Sequence, residues 1–250
     1  MIVVAGLSDI GCKRSANEDR ILMDLDELLF AIADGMGGAR CGGQAADIAI
    51  STLREYFRST PNHQRKAITD IDLNFALTQG HMVEAIQVAN ERIFRLSGSS
   101  HECEGMGCTL SAVFVSGTTA TVGHVGDTRV YLYRQDQLYQ LTRDDSVVAK
   151  LIATGEIGAE EASSHPMRNM LMRSIGTSEE VDIQLIELSL QARDRLLLSS
   201  DGLHGVIGET SLREILGAAQ TPEITAQNLI QAALDRGAPD NTSCIILDCE

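Results

Sequence analysis

Two apolar runs at opposite ends of the chain finish in the same way. Leu29-Phe30-Ala31-Ile32-Ala33-Asp34-Gly35 and Leu196-Leu197-Leu198-Ser199-Ser200-Asp201-Gly202 each stop on an aspartate followed by glycine. A short apolar run of bulky residues predicts a buried strand, so each run sets a carboxylate at a strand tip. After Asp34 come Gly35, Gly37 and Gly38. Glycines let the backbone approach a ligand closely, and a metal or a phosphate could sit against Asp34 and the carbonyl of Gly35. A loose glycine turn with Asp34 as an ordinary turn residue fits these residues equally well.

The 250 residues can bury a substantial core and lie within the range of one large domain. With 44% hydrophobic and 22% charged residues and no low-complexity tract, a single globular domain over 1–250 is expected. The formal charge of -15, without a cluster of basic residues, excludes nucleic acid and anionic membrane surfaces as partners. It also suits a site built of several carboxylates around a divalent cation. The six cysteines, Cys12, Cys41, Cys103, Cys108, Cys244 and Cys249, form no Cys-x-x-Cys pair, so free buried thiols are expected rather than a zinc site. The start of the chain lacks the basic region and apolar stretch of a signal peptide, and no segment reaches a membrane span. A cytoplasmic protein is expected.

Residues 2–8 predict a strand, followed by a polar loop through Lys13, Arg14, Glu18 and Asp19 with unusual charge density. Loops on rigid scaffolds are where sites are built, although a solvated charged turn accounts for the stretch as well. Strands are expected near 21–24 and 28–33. Helical spacing of Ala45, Ala46, Ala49, Leu53 and Phe57 predicts a helix from about 42 to 57. Pro61 lies in the connection to a second helix from about Asp70 to Leu96, which Gly80-His81 interrupts; His63 and His81 read as surface residues. Runs at 109–115, 119–125 and 129–133 predict an antiparallel meander with Asp127 in a tight turn. Asp144 or Asp145 caps a helix through Ala153 that Gly155 ends. Residues 156–169 lack periodicity and read as a mobile loop. A short helix or strand is expected at 170–175, strands at 181–188 and 195–199, helices at 209–218 and 222–236, and a last strand at 242–247.

Asp34, Asp201 and Asp240 thus stand at ends of expected strands. Should those ends converge, hard oxygen ligands would surround one cavity with no Cys or His pair among them, which suits Mg2+ or Mn2+. Two such ions about 3.5–4 Å apart can activate a water, orient a phosphoryl oxygen and neutralise charge in an in-line displacement. Arg14 is the guanidinium available to clamp the phosphate.

The ordered blocks Ser8-Asp9-x-Gly11-x-x-Arg14-x-x-Asn17-Glu18-Asp19, Ala33-Asp34-Gly35-Met36-Gly37-Gly38, Gly105-Met106-Gly107-Cys108-Thr109-Leu110, His124-Val125-Gly126-Asp127-Thr128-Arg129, His165-Pro166-Met167-Arg168-Asn169, Ser199-Ser200-Asp201-Gly202-Leu203 and Asp240-Asn241 span nearly the whole chain. Together they closely resemble the bacterial type 2C metal-dependent Ser/Thr protein phosphatases. The resemblance implies an α+β fold, a central β-sandwich of two antiparallel sheets flanked by helices on both sides (four-layer αββα), with metals in a channel at one end and a flap at about 144–176. It further implies two core Mn2+ or Mg2+ ions. Asp34 would bridge them, Gly35 would ligate through its carbonyl, and Asp201 and Asp240 would complete the ligands of one. Glu18 and Asp19 would hold water around the metals. Asp127, with Asp201, would hold a weaker third ion, and Arg14 would bind the substrate phosphate.

Two departures bear on substrate handling. Met36 stands where eukaryotic relatives have a histidine proposed as general acid, so the leaving group must be protonated by another group, such as water on a metal. Ala39 and Gly43 stand where many bacterial relatives have histidine and glutamate. His124 reads as a structural strand residue. The expected activity is hydrolysis of phosphoserine and phosphothreonine on proteins by a water bridging the metals, as a phosphoric monoester hydrolase opposing a bacterial Ser/Thr kinase. Signalling and control of a secretion machine both remain open as its setting, and a monomer is expected. The competing reading is a catalytically idle phosphoprotein-binding or sensor domain on the same fold, against which the retention of every core carboxylate speaks.

Overall fold

The structure, a computed structural model, describes residues 1–37, 41–59, 71–99, 101–162 and 164–250, with the backbone alone described at 71–77 and 159. Gly38, Ala39, Pro61, His63 and Asp70 lie outside the described residues.

Strands β1 (Ile2–Asp9), β2 (Asp19–Asp24) and β3 (Leu29–Met36) lead into helices α1 (Gly42–Ser59) and α2 (Ile71–Ser99). A single 3-10 turn and a two-residue strand, β4 (Gly107–Cys108), precede β5 (Leu110–Ser116), β6 (Thr119–Val125), β7 (Arg129–Arg134) and β8 (Gln137–Gln140). Short helices α3 (Val147–Ala153) and α4 (Ala159–Ala162) follow, then β9 (Gln184–Ser189) and β10 (Arg195–Ser199). The chain finishes with α5 (Asp201–Gly217), α6 (Pro222–Asp235) and β11 (Thr242–Cys249). One antiparallel sheet has the order β1-β11-β10-β7-β8; the other is β2-β3-β5-β6-β9, with β4 paired to β3.

The unbroken apolar runs exist because both faces of the central strands are covered. In β3, Phe30 and Ile32 point into the core between the sheets, while Leu29, Ala31 and Ala33 point at Leu53, Phe57, Met82 and Ile86 of α1 and α2. In β10 and β11, Leu196, Leu198, Ile245 and Leu247 fill the same inter-sheet core, whereas Leu197 and Ile246 meet Leu203, Leu212 and Leu229 of α5 and α6. Each fully buried Leu, Ile or Phe side chain contributes about 1.5–3 kcal/mol of transfer free energy. The four-layer αββα sandwich is therefore three apolar layers stacked on two twisted sheets, as expected from the resemblance.

Several expectations are corrected. β5 and β6 form a hairpin, but β7 crosses to the other sheet and pairs with β10 and β8, so residues 109–133 are not a continuous meander. The Gly126-Asp127-Thr128 turn is the crossover between sheets. Helix α2 runs through Gly80 and His81 without a break. A Cβ at Gly80 would meet nothing within 4 Å, and a lone exposed glycine costs a helix only about 1 kcal/mol. The cap of α3 is Ser146, whose Oγ accepts from Ala149 N at 3.3 Å. Asp144 and Asp145 are unavailable because they bind Arg129 and Arg173. Residues 170–175 form neither helix nor strand; isolated bridges tie Leu171 to Ser146 and Ile175 to Cys108. Cys41 and Cys103, 62 residues apart, form a disulfide, while Cys108, Cys244 and Cys249 are free and buried and Cys12 is free and exposed. Long-range pairing of that kind leaves no local spacing in a sequence. No helix among the described residues is long and apolar enough to cross a membrane.

Candidate active site

At one end of the sandwich the strand tips enclose a cavity of about 300 Å³, lined by Arg14, Glu18, Asp34, Gly35, Asp127, Asp201 and Asp240, with Met36, Thr109, Asn169 and Asn241. All the residues singled out in the sequence are here except Asp19, which is buried beneath the floor. It stands opposite Asp34 in the β2/β3 register, so the two carboxylates are neighbours by strand pairing. Ser200 Oγ and Ser243 Oγ donate to Asp19 Oδ2 at 2.8 and 2.6 Å. Its Oδ1, Glu18 Oε1 and Asp201 Oδ1 are buried without a hydrogen-bond partner among the described residues.

The glycines of the motifs answer to chain crossings more than to ligand approach. A Cβ on Gly35 would lie 2.1 Å from the Gly42 carbonyl oxygen, and one on Gly202 would lie 2.0 Å from that of Asn241. These contacts let α1 and the β10/α5 corner sit directly behind the carboxylates. Asp201 begins α5 instead of merely ending a strand, because that helix starts at residue 201 and kinks at Gly208, where φ is 73°. An expected start at 209 misses this first turn, where a carboxylate also interacts favourably with the helix dipole. Ser200, its N-cap, makes no side-chain cap: its Oγ accepts from Ser243 N at 3.0 Å and donates to Asp19.

The loop before β2 is held by the segment before β11. Asn241 Nδ2 donates to the carbonyls of Ile10 and Ala16 at 2.9 and 3.0 Å, and Asn241 Oδ1 accepts from Glu18 N at 2.9 Å. Arg14 Nη2 reaches Asp240 Oδ2 at 2.6 Å, with its side chain 52% exposed and the carboxylate 31%. The Asp240 hydrogen bond is also what raises the Arg14 pKa. Asn169 and Leu171 bring the segment after α4 to the rim. In the sequence Asn169 stands in a motif that gives it no role, and Asn241, Ser200 and Ser243 carry no local signal as supports because their partners lie far along the chain.

The electrostatics are those of crowded anions. Desolvation, then the charges of Asp19, Asp201, Asp127 and Asp240, hold the Asp34 carboxyl well above the usual range. Burial followed by Asp201 and Asp144 pushes Asp127 up to about 8. Burial, opposed by the two serine hydroxyls, pushes Asp19 up to about 6, and burial with Asp240 raises Asp201. Such buried like charges call for a cation. As placed, no three His, Cys, Asp or Glu side chains among the described residues close a cation cage by themselves. The orphaned carboxylate oxygens and the all-oxygen donor set nonetheless fit a hard divalent ion. Neither neighbouring histidine belongs to the cavity. Burial lowers the pKa of both. His124 is held between Ser111 Oγ at 2.9 Å and the Arg143 carbonyl at 3.2 Å, which bears out its structural reading, and His204 binds Ser199 Oγ at 2.9 Å.

A family model for protein phosphatase 2C matches residues 13–235. The chain is 37% identical over 246 residues to the serine/threonine protein phosphatase PstP of Mycobacterium tuberculosis, covering 98% of this chain and 44% of PstP, so it spans less than half the length of that relative. It is 33% identical over 244 residues to the serine/threonine phosphatase stp of Listeria monocytogenes, covering 96% of this chain and 93% of that protein. The crystal structure of the PstP catalytic domain in complex with 2 manganese ions superposes with a TM-score of 0.83 at 32% identity, covering 99% of this chain and 98% of that one. A match along nearly the whole length, on a shared sandwich, means that the chain belongs to the protein phosphatase 2C family.

Proposed function

We propose that the chain is a Mn2+- or Mg2+-dependent protein phosphatase that hydrolyses phosphoserine and phosphothreonine. The observation that carries this reading is the convergence of Asp34, Asp127, Asp201 and Asp240 with Arg14 in one cavity whose buried negative charge has no sufficient counter-charge among the described residues. The names of the relatives, and the two manganese ions of the PstP catalytic domain, support the same reading.

In this reading Asp34, the Gly35 carbonyl, Asp201 and Asp240 hold two ions, Asp127 and Asp201 a weaker third, and Glu18 and Asp19 hold water around them. When bound, the ions activate water at neutral pH and neutralise charge on the transferring phosphoryl group. The residues themselves do the rest. Arg14 binds two phosphate oxygens through its planar fork and so aligns the ester for in-line attack. For that, the guanidinium must share or release Asp240. Thr109, accepting at Oγ1 from Asp34 N at 3.4 Å and donating from its own N to Asp34 O at 2.8 Å, fixes the Asp34 backbone. Met36 lines the cavity without offering a proton, so no side chain at that position serves as general acid.

Residues 1–250 would act as one phosphatase domain with 144–176 as its flap, in the cytoplasm, as a monomer opposing a Ser/Thr kinase. The test is release of inorganic phosphate from a phosphothreonine peptide. Hydrolysis with Mn2+ that stops on chelation and returns with added metal supports the reading. Metal-independent hydrolysis, or phosphopeptide binding without turnover, refutes it; the latter outcome would identify an idle binding domain.

A further inference from the structure

The Arg14 side chain is about half exposed, and among the described residues its ion pair is with Asp240. Its position therefore depends on the backbone of the loop that carries it. That loop is gripped at both ends by a single side chain. Asn241, only 4% exposed, donates both protons of its amide to the carbonyls of Ile10 and Ala16, which flank Arg14, and accepts from Glu18 N just beyond. The same segment adds a further hold: Cys12 N donates to the Ala238 carbonyl at 2.8 Å. Gly11, at φ 75°, packs so tightly that a Cβ there would lie 2.2 Å from the Asp240 carbonyl oxygen. The adjacent Asp240 is itself turned by Asn241, whose N donates to Asp240 Oδ1 at 2.8 Å.

From this arrangement we infer that Asn241 is a positioning residue, which sets the Arg14 guanidinium at a fixed distance from Asp240 so that phosphate is bound in register with the carboxylates. The inference rests on the phosphatase reading of Arg14. Both amide protons and the amide oxygen of Asn241 are engaged by backbone groups of the loop. Its amide is matched to its place: two carbonyls need two donors from one group, and one backbone N–H needs an acceptor from the same group, which among side chains only a carboxamide supplies. Asp at this position would turn an oxygen toward Ile10 O and Ala16 O, and Ala would take the side-chain partner from all three part-buried backbone groups.

A double-mutant cycle on Arg14→Ala and Asn241→Ala tests this, with KM and kcat on a phosphothreonine peptide at saturating Mn2+, the Mn2+ affinity and Tm read for each protein. Asn241→Ala is expected to raise KM roughly ten- to a hundredfold, the scale of loss that follows misplacement of a binding group by about 1 Å. In the Arg14→Ala background the same change is expected to alter KM less than about twofold, because the group it positions is already gone. Mn2+ affinity is expected to stay within about twofold in both. Additive effects of the two substitutions, or weakened Mn2+ binding in Asn241→Ala, would overturn the inference. Wild-type KM in Arg14→Ala would instead refute the phosphate-binding role of Arg14. Should Asn241→Ala lose its cooperative melting, Asn241→Ser, which keeps one donor and one acceptor, enters the cycle in its place and is held to the same outcomes.

Discussion

Replacement of Asp201 by Asn is expected to lower kcat/KM on a phosphothreonine peptide by roughly three orders of magnitude or more, the scale on which removal of preorganised charge stabilisation costs an enzyme. The substitution keeps shape and, in the proposed assignment, removes an anionic ligand that would serve the core ions and the third. Asp34→Asn is expected to do the same, since Asp34 would serve both core ions. The contrast with two neighbours makes the prediction specific. Asp127→Ala is expected to keep both core ions, because Asp127 is assigned only to the third. Arg14→Lys is expected to lose about 1.5–3 kcal/mol, or one to two decades in kcat/KM, through poorer phosphate binding with Mn2+ affinity intact. Steady-state kinetics beside a calorimetric Mn2+ titration read all four. Near-normal turnover in Asp201→Asn, or loss of both core ions in Asp127→Ala, would show the ligands to be wrongly assigned.

The second large effect is on stability. In the metal-free protein burial and the neighbouring carboxylates push Asp19 up to about 6 and Asp127 up to about 8, against 3.8 for the free side chain. Their folded pKa values are raised, so folding takes up protons. The associated stability is complete below about pH 4 and is lost as the pH climbs through 6 to 8. Metal-free protein is therefore expected to melt at progressively lower temperature between pH 5 and pH 8. Mn2+ replaces the protons and reverses the loss. At a hundredfold excess over its dissociation constant it adds about 2.7 kcal/mol, which for a domain of this size raises Tm by roughly 5–11 °C. At pH 5 the gain is expected to be much smaller, because protons already occupy the carboxylates. Asp201→Asn, by removing one of the crowded charges, is expected to raise the Tm of the metal-free protein while abolishing turnover, the usual opposition between stability and function at a site of like charges. Thermal melts with and without Mn2+ at the two pH values decide the matter. A metal-free Tm that rises with pH, or a Mn2+ gain equal at both, would contradict it.

The sequence reading was strongest where a residue's role is local. An apolar run on two buried faces shows its burial directly, so Phe30, Ile32, Leu196 and Leu198 could be placed in a core, and the Asp-Gly endings of two such runs pointed at the site. What escaped was set by distant partners. The bond between Cys41 and Cys103 spans 62 residues and has no spacing signature. The transfer of β7 to the opposite sheet depends on its pairing with β10, more than sixty residues later, while the turn at 126–128 looks like any hairpin turn. Ser146 displaced two aspartates as helix cap only because Arg129 and Arg173 claim those aspartates. The supports of the site were hidden for the same reason: Asn241 serves Ile10, Ala16 and Glu18, and Ser200 and Ser243 serve Asp19, all across the full length of the chain.

Anomalous diffraction at the manganese edge, from crystals grown with Mn2+, tests most directly the claim that this carboxylate cluster is a two-ion centre. Two strong peaks about 3.5–4 Å apart, bridged by Asp34 and reached by the Gly35 carbonyl, Asp201 and Asp240, are the expected result. Peaks absent from this cavity, or located elsewhere in a protein that still hydrolyses phosphopeptide, would contradict the account.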